Sequence, residues 1–142
     1  MKGLLLGLDL TEVARISELL ERWGERFLDR VFLPGEILLR RRHSRALAEH
    51  VAGRFAAKEA AMKALGTGVR GVAFKEIFVG REGSGKPRLE LRGRALDRAR
   101  ALHVRAVEVS ITHTRTMAAA AVVLLTEEQD GIVPVDPFGY GG

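Results

Sequence analysis

The sequence predicts an α+β fold in which an antiparallel sheet packs against one long helix and several shorter helices. Three observations support this prediction. A continuous apolar run at residues 4–8 is typical of a buried strand. Residues 45–65 keep a helical apolar period over about six turns. Strand-like runs at 104–112 and 116–125 are separated by a very short connection, which indicates an antiparallel hairpin.

The first elements follow from the apolar pattern before the long helix. The opening run predicts a strand over residues 3–9 that is buried on both faces, because neither face carries polar positions. Apolar spacings of three and four residues then predict helical segments. These segments are expected at residues 12–22, around 25–31, around 35–42 and at 45–65.

The second half alternates strands with turns and one short helix. A turn is expected at 82–85, where two glycines interrupt the apolar pattern. This turn connects a strand near 74–80 to a strand at 87–92. A helix at 93–102 then leads to the terminal hairpin.

Composition sets the domain organisation and the protein class. One domain is expected over residues 1–126, since a chain of 142 residues supports a single core. Residues 127–142 are rich in Pro and Gly and are expected to form a flexible tail. The absence of cysteine excludes disulfides and thiol catalysis and favours a cytoplasmic protein. No apolar run reaches transmembrane length, so no membrane association is expected.

Two carboxylates lie at positions where a negative charge is either costly to bury or able to bind a cation. Glu59 falls on the apolar stripe of the long helix, four residues after Phe55, and burying it alone would be costly. Asp9 closes the first strand. Such a pair suits Mg²⁺, which takes one or two carboxylates together with water and phosphate oxygens. The alternatives are a helix salt bridge of Glu59 with Lys63 and a capping box of Asp9 with Glu12.

Five short motifs follow one another along the chain. They are Gly7-Leu8-Asp9-Leu10-x-Glu12, Phe32-x-x-x-Glu36, Phe55-Ala56-Ala57-Lys58-Glu59-Ala60-x-x-Lys63-Ala64, Gly85-Lys86-Pro87 and Ser110-Ile111-Thr112-His113-Thr114. This series resembles the motifs of 4′-phosphopantetheinyl transferases, most closely those of the short bacterial holo-acyl-carrier-protein synthases. The resemblance covers residues 3–125, and Thr112 stands where that family usually has a serine.

The resemblance implies transfer of the 4′-phosphopantetheine arm of coenzyme A to a serine of apo acyl carrier protein, with release of adenosine 3′,5′-bisphosphate. Asp9 and Glu59 would hold Mg²⁺, and Lys63 would reach the pyrophosphate. Glu59, directly or through a metal-bound water, would take the serine proton. Arg54 would bind the 3′-phosphate, with a solvated helix arginine as the alternative. The other expected coenzyme A contacts are Lys63, Gly66, Thr67, Lys86, Pro87, Ser110, Thr112 and His113.

Two of these contacts have a structural alternative. Gly66 and Thr67 offer backbone N–H groups and a hydroxyl to phosphates, but their position is equally typical of an ordinary helix C-cap.

Basic residues predict acidic partners, consistent with a net charge of +5. Arg15, Arg22 and Arg26 recur at roughly helical spacing on the first helix, and the resemblance implies that this helix grips the acidic carrier protein. A solvated face is the alternative, since glutamates are interleaved there. A second basic patch suits a polyphosphate cofactor. It consists of Arg40, Arg41, Arg42, Arg45, Arg54 and Lys58.

The resemblance also implies a homotrimer with active sites between subunits, in which Asp9 and Glu59 of one chain act with His113 of another. Two other functions stay open. One is a broad-specificity carrier-protein phosphopantetheinyl transferase, a type that has two such domains in tandem. The other is a basic nucleic-acid-binding module, which a pI of 10.2 permits but the scarcity of aromatic residues disfavours.

Overall fold

The structure is a computed structural model that describes residues 3–38 and 44–127. The order of elements confirms the predicted α+β class, and the long helix has its predicted bounds. The elements are β1 (Leu4–Glu12), α1 (Val13–Trp23), α2 (Glu25–Val31), α3 (Arg45–Leu65), α4 (Gly68–Gly71), a 3₁₀ turn (Phe74–Glu76), β2 (Ile77–Arg81), β3 (Pro87–Leu91), α5 (Gly93–Ala101), β4 (Val104–His113) and β5 (Met117–Thr126).

The main sheet is antiparallel, with the strand order β1-β5-β4. Its β4–β5 hairpin is the one predicted from the sequence. β1 pairs with β5 along its whole length, so that Asp9 lies opposite Ala120. A second, two-stranded sheet is the β2–β3 hairpin. In its turn Glu82 N–H donates to the Lys86 carbonyl at 2.9 Å, and Gly85 takes a φ of +90° that favours glycine.

Helix α3 is the centre of the core and is buried along most of its length. One apolar cluster lies between α3 and the main sheet, and a second lies between α3 and helices α1 and α2. Small residues allow close packing against the sheet. A Cβ at Gly7 would collide with the Ala60 carbonyl oxygen, and one at Gly53 would lie 2.8 Å from Ile111 Cγ2. This packing brings β1 directly against the middle of α3.

Strand β1 is buried on one face only, which corrects the expectation of burial on both. Side chains alternate along a strand, so every second residue points away from α3. The four outward leucines are 58–68% exposed. We call them the leucine stripe: Leu4, Leu6, Leu8 and Leu10. The apolar run therefore correctly predicted a strand, but the prediction that both faces of this strand are buried is wrong.

Two further expectations need correction. The segment 35–38 is a turn and bend rather than the start of a helix, because Glu36 folds its carboxylate back to accept from Leu33 N–H at 2.6 Å. The rest of the helix predicted at 35–42, and the arginines of the basic patch there, fall in residues 39–43, outside the described residues. Gly24, with φ +54°, separates α1 from α2, so Arg26 lies on α2 and not on the first helix.

Residue 127 is the only described residue of the predicted tail, and 128–142 lie outside the described ranges. Within those ranges, no helix is both long and apolar enough to cross a bilayer.

Candidate active site

A cluster of charged side chains lies where β1 meets α3. Lys63 Nζ lies 2.8 Å from Asp9 Oδ1 and donates to the Leu8 carbonyl at 3.0 Å. The Asp9 side chain is 10% exposed and that of Lys63 is 56% exposed. Asp9 Oδ2 has a weaker contact, 3.5 Å from the Thr11 hydroxyl. The capping alternative is wrong, because Asp9 lies inside β1 and the N-cap residue of α1 is Glu12, without a side-chain cap.

Glu59 lies one turn before Lys63 and is half-buried. Its pKa is raised first by burial and second by the Asp9 carboxylate, while Arg15 and Lys63 oppose the shift. Two carboxylates that repel each other in a partly desolvated place favour a bound cation. The described part of the chain has no group of three or more His, Cys, Asp or Glu placed to hold a metal. Two carboxylates are nevertheless the set that Mg²⁺ uses when water and phosphate oxygens complete its shell.

A cleft of about 400 Å³ separates α3 from the β2–β3 hairpin. Arg54 is 8% exposed, and its Nε is buried without a hydrogen-bond partner among residues 3–38 and 44–127. Burial first, and Arg81 second, lower the pKa of Arg54 to about 10, so it stays charged at neutral pH. Two guanidinium groups in one cleft attract an anion. Other residues lining the cleft are Glu49, His50, Gly85, Pro87 and His113.

The imidazole of His50 is neutral at ordinary pH. Burial, then Arg54 and Arg81, lower the pKa of His50 to about 4. Arg81 Nη2 lies 3.2 Å from His50 Nδ1, and since an arginine can only donate, the proton of the neutral ring is on Nε2. That Nε2 is buried, and the backbone of Glu36 lies close enough to oppose the fall in the pKa of His50. Sequence reasoning missed both residues, although Arg81 directly precedes the predicted turn.

The predicted contacts on β4 are divided between two faces of the main sheet. His113 lines the cleft, with Nδ1 3.9 Å from Glu49 Oε2. Ser110 pairs through Ala121 with Leu8, and Thr112 lies in the next row in the same way, so both hydroxyls are on the face of the leucine stripe. A single chain therefore does not bring Ser110 and Thr112 to the side chain of His113.

The structure favours the C-cap alternative for the end of α3. Gly66 is left-handed with φ +74°, and its N–H bonds a carbonyl of the last turn. Thr67 N–H donates to Met62 at 3.2 Å, so neither N–H is free for a phosphate. Contact of these two residues with coenzyme A stays a prediction, and the Thr67 hydroxyl is the group left to make it. Lys86 pairs with Glu108 at 2.9 Å, and both side chains are exposed.

Lys58 does not belong to a surface patch, which corrects the sequence interpretation. Its side chain is fully buried and lies 2.9 Å from Glu36 Oε1. Its ammonium is 4.8 Å from the centre of the Phe32 ring. The motif Phe32-x-x-x-Glu36 thus supplies the surroundings of Lys58, a connection that the sequence analysis did not make.

We call the cluster of Asp9, Glu59 and Lys63 the carboxylate cluster, and the cleft lined by Arg54 and Arg81 the arginine cleft. These two sites lie on different sides of α3. Arg54 and Glu59 are five residues apart, which separates them by about 140° around the helix axis. The lining of the cleft does not include Asp9, Glu59 or Lys63. One chain alone therefore does not bring both clusters to one cavity.

The predicted carrier-binding arginines are exposed and follow the α1–α2 corner. Arg15 lies near Glu59, because its charge lowers the pKa of that carboxyl. Arg22 lies over the Trp23 ring, with 6.0 Å to the ring centre. Arg26 lines a groove of about 780 Å³ together with Trp23 and other residues. These arginines therefore extend from the carboxylate cluster to α2 beside an exposed aromatic ring, with three exposed glutamates interleaved among them.

Comparisons with known proteins give one consistent result. Residues 5–122 match the family described as the 4′-phosphopantetheinyl transferase superfamily. The holo-[acyl-carrier-protein] synthase of Maridesulfovibrio salexigens is 47% identical over 120 residues, which cover 84% of this chain and 95% of that protein. The one from Koribacter versatilis is 44% identical over 119 residues, 83% of this chain and 94% of that protein.

Solved structures agree with the sequence relatives. The Helicobacter pylori holo-[acyl-carrier-protein] synthase in complex with coenzyme A has a TM-score of 0.73 at 29% identity, covering 84% of this chain and 99% of that chain. The Bacillus anthracis enzyme in complex with CoA (3′,5′-ADP) has a TM-score of 0.70 at 34% identity, covering 87% and 96%. These matches confirm the predicted fold. The chain belongs to the 4′-phosphopantetheinyl transferase superfamily.

Proposed function

We propose that the protein transfers the 4′-phosphopantetheine group of coenzyme A to a serine of apo acyl carrier protein, giving holo-carrier protein and adenosine 3′,5′-bisphosphate. The observation that carries the proposal is the carboxylate cluster of Asp9, Glu59 and Lys63 in a chain that also has an arginine cleft. Its relatives at 44–47% identity are holo-[acyl-carrier-protein] synthases, and solved relatives bind coenzyme A. A broad-specificity transferase has no separate observation in its favour.

The carboxylate cluster is the proposed reaction centre. Asp9 and Glu59 would hold Mg²⁺, which when bound neutralises charge on the pyrophosphate. The serine oxygen forms a bond to the phosphorus that carries pantetheine, and the bond from that phosphorus to the nucleotide's phosphate breaks. Glu59 takes the serine proton, directly or through an intervening water, and its raised pKa suits a base. Lys63 is exposed enough to leave Asp9 and meet the pyrophosphate.

The arginine cleft is the proposed site of the nucleotide end of coenzyme A. Arg54 and Arg81 would bind the 3′-phosphate, and the unpaired Arg54 Nε supplies a donor for it. Pro87 and His113 line the same cleft, in agreement with their expected role. The neutral His50 holds Arg81 in place without adding a positive charge.

We further propose a homotrimer in which each site joins two subunits. The leucine stripe is an exposed apolar surface of a kind that marks protein interfaces. The placement of Ser110 and Thr112 on that same face supports a role for them at the interface. The separation of the carboxylate cluster from the cleft supports a site built from Glu59 of one subunit and Arg54 and His113 of its neighbour.

The transfer is tested by incubating the protein with coenzyme A, Mg²⁺ and an apo acyl carrier protein and measuring the carrier's mass. We expect the mass to increase by one phosphopantetheine. A carrier whose acceptor serine is changed to alanine is the control and should not react. No mass gain, under conditions where a related synthase modifies the same carrier, would refute the function.

The shared site is tested by co-expressing the variants Glu59→Ala and His113→Ala, each inactive alone. Random assembly leaves about a quarter of the interfaces with two intact halves, so about a quarter of the wild-type rate should return. A double substitution in the leucine stripe, Leu6→Glu with Leu8→Glu, should give an inactive monomer by light scattering. A fully active monomer of the wild-type chain would contradict the trimer.

A further inference from the structure

We propose that the buried ion pair of Lys58 and Glu36 is a positioning device for the cleft: it fixes the β2–β3 hairpin against α3 and so holds Arg81 opposite Arg54. The inference rests on the proposed function, since it assigns the 3′-phosphate of coenzyme A to that cleft. Neither Lys58 nor Glu36 lines the cleft, so both would act through other residues.

Lys58 connects α3 to the start of β2. Its Nζ donates to the carbonyls of Phe74 at 2.9 Å and Ile77 at 2.7 Å. It also lies 2.9 Å and 3.0 Å from the two carboxylate oxygens of Glu36. Both side chains are fully buried, so the ion pair and the bond to Ile77 form away from water, where each is strong, and the bond to Phe74 is partly buried.

Glu36 completes the connection from the other side. Its Oε1 accepts from the Val79 N–H at 2.8 Å, in the middle of β2, and its Oε2 accepts from the Leu33 N–H. The pair therefore holds the chain at three backbone positions, namely the Phe74 carbonyl in the 3₁₀ turn before β2, the first carbonyl of β2 and the N–H at its centre. Directional bonds at three positions fix where β2 lies against α3, whereas the register of the hairpin itself is set by its turn and its apolar pattern.

The residues that the pair bonds lie next to the cleft on both of its walls, which are α3 and β2. On α3, Arg54 lies one turn before Lys58 and His50 one turn earlier still. On β2, Arg81 follows two residues after Val79. Arg54 and Arg81 repel each other, since each charge opposes the other, and Glu36 counters this at Arg54 by raising its pKa. Without the pair, the repulsion would move the hairpin away from α3 and widen the cleft.

The test replaces the pair with neutral residues of similar size, Lys58→Met with Glu36→Gln, in the full-length protein. We measure KM and kcat for coenzyme A and for 3′-dephospho-coenzyme A, with folding checked by circular dichroism. KM for coenzyme A should rise about tenfold, the equivalent of one good hydrogen bond to phosphate. KM for the dephospho compound should change less than twofold, so discrimination between the two should fall at least about fivefold. If the pair only stabilised the fold, its loss would lower the fraction of active protein without changing the ratio of the two KM values.

The control is Leu28→Ala, a core substitution in the cluster beneath α1 and α2 that should lower Tm and leave discrimination as in the wild type. Adding Arg81→Met to the neutral pair should have little further effect on discrimination, although Arg81→Met alone should lower it about as much as the neutral pair does. If the neutral-pair variant does not fold, Lys58→Met with Glu36→Met, an apolar pair of similar volume that leaves no buried charge, is measured in its place.

A folded neutral-pair variant that discriminates as the wild type does would overturn the inference. Calorimetric binding of adenosine 3′,5′-bisphosphate against adenosine 5′-monophosphate gives the same comparison without any transfer. Failure of the wild type to modify a carrier would refute the proposed function, whereas this binding comparison would still test the positioning of the cleft.

Discussion

Two ion pairs on one helix have nearly the same geometry and opposite surroundings. Lys58 and Glu36 are 2.9 Å apart with both side chains fully buried, and Lys63 and Asp9 are 2.8 Å apart with the lysine 56% exposed. The two lysines are five residues apart on α3. Distance alone therefore does not tell a structural pair from one that can take part in a reaction.

The number of other contacts separates the two pairs. Glu36 Oε2 accepts from Lys58 and from one backbone N–H, while Oε1 accepts from another backbone N–H and lies 2.9 Å from the ammonium, so the buried pair is saturated. Asp9 Oδ2 has only a weak contact with Thr11, and the ammonium of Lys63 reaches solvent. A saturated pair cannot exchange a partner without a large cost, whereas an open pair can give Asp9 to a cation and Lys63 to a phosphate.

The largest effect is expected on the transfer rate, when a carboxylate at the open pair of Asp9 and Lys63 is removed. Asp9→Ala and Glu59→Ala should each lower the transfer rate by at least about 10³-fold, because a metal supplies several kcal/mol to such a transition state. The fold should stay intact, as judged by circular dichroism and Tm. The wild type with EDTA is the matched control and should be equally inactive. Near-normal turnover in a folded Asp9→Ala protein would rule out the metal assignment.

The next effect is expected at the buried pair and in stability. Lys58→Ala should lower the free energy of unfolding by about 3–5 kcal/mol, because it leaves the buried Glu36 charge uncompensated. Lys63→Ala is the matched variant on the same helix and should hardly change stability, while it slows transfer. Urea unfolding of both variants measures the difference. Equal losses of stability in the two would mean that burial does not distinguish the pairs.

The sequence predicts features that depend on neighbouring residues better than features that depend on residues far apart in the chain. The bounds of α3 follow from local periodicity, but Asp9 was paired with Glu59 by placing it at the end of a strand, whereas it lies inside β1. Lys58 lies in a stretch of helix formers and was assigned to the surface, because its partner Glu36 is 22 residues away across a turn. The leucine stripe illustrates the same limit, since an apolar run does not reveal which faces of its strand the helix of the same chain covers.

A smaller effect concerns Glu59 in the absence of metal. Its pKa is raised by burial and then by Asp9, so its ionised form is the less favoured one in the folded protein. The stability it contributes when protonated is lost as the pH rises through its folded pKa. With EDTA present, Glu59→Gln should therefore have a higher Tm than the wild type at pH 7, and the difference should vanish well below pH 4.5. Added Mg²⁺ should raise the Tm of the wild type but not of the variant, and the opposite ranking would contradict the carboxylate pair.

The smallest effect is expected in carrier recognition, next to the open pair. Arg15 is exposed on α1 and close enough to Glu59 to lower its pKa, which places it beside the proposed reaction centre. Arg15→Glu should raise KM for the acidic carrier several-fold and leave KM for coenzyme A unchanged, since its 3′-phosphate is assigned to the cleft beside α3. Higher salt should likewise weaken the wild-type reaction, because steering charges are screened.

Two control variants separate recognition from an indirect effect on Glu59. Arg15→Gln removes the attraction without placing a new negative charge near Glu59, so it should keep most of kcat and still raise KM for the carrier. Arg22→Glu changes a charge two turns along the same helix, above Trp23, and should raise KM for the carrier without altering kcat at any pH. If Arg15→Glu instead lowers kcat alone and KM for the carrier stays constant, Arg15 acts on the charge of Glu59, and α1 is a solvated face.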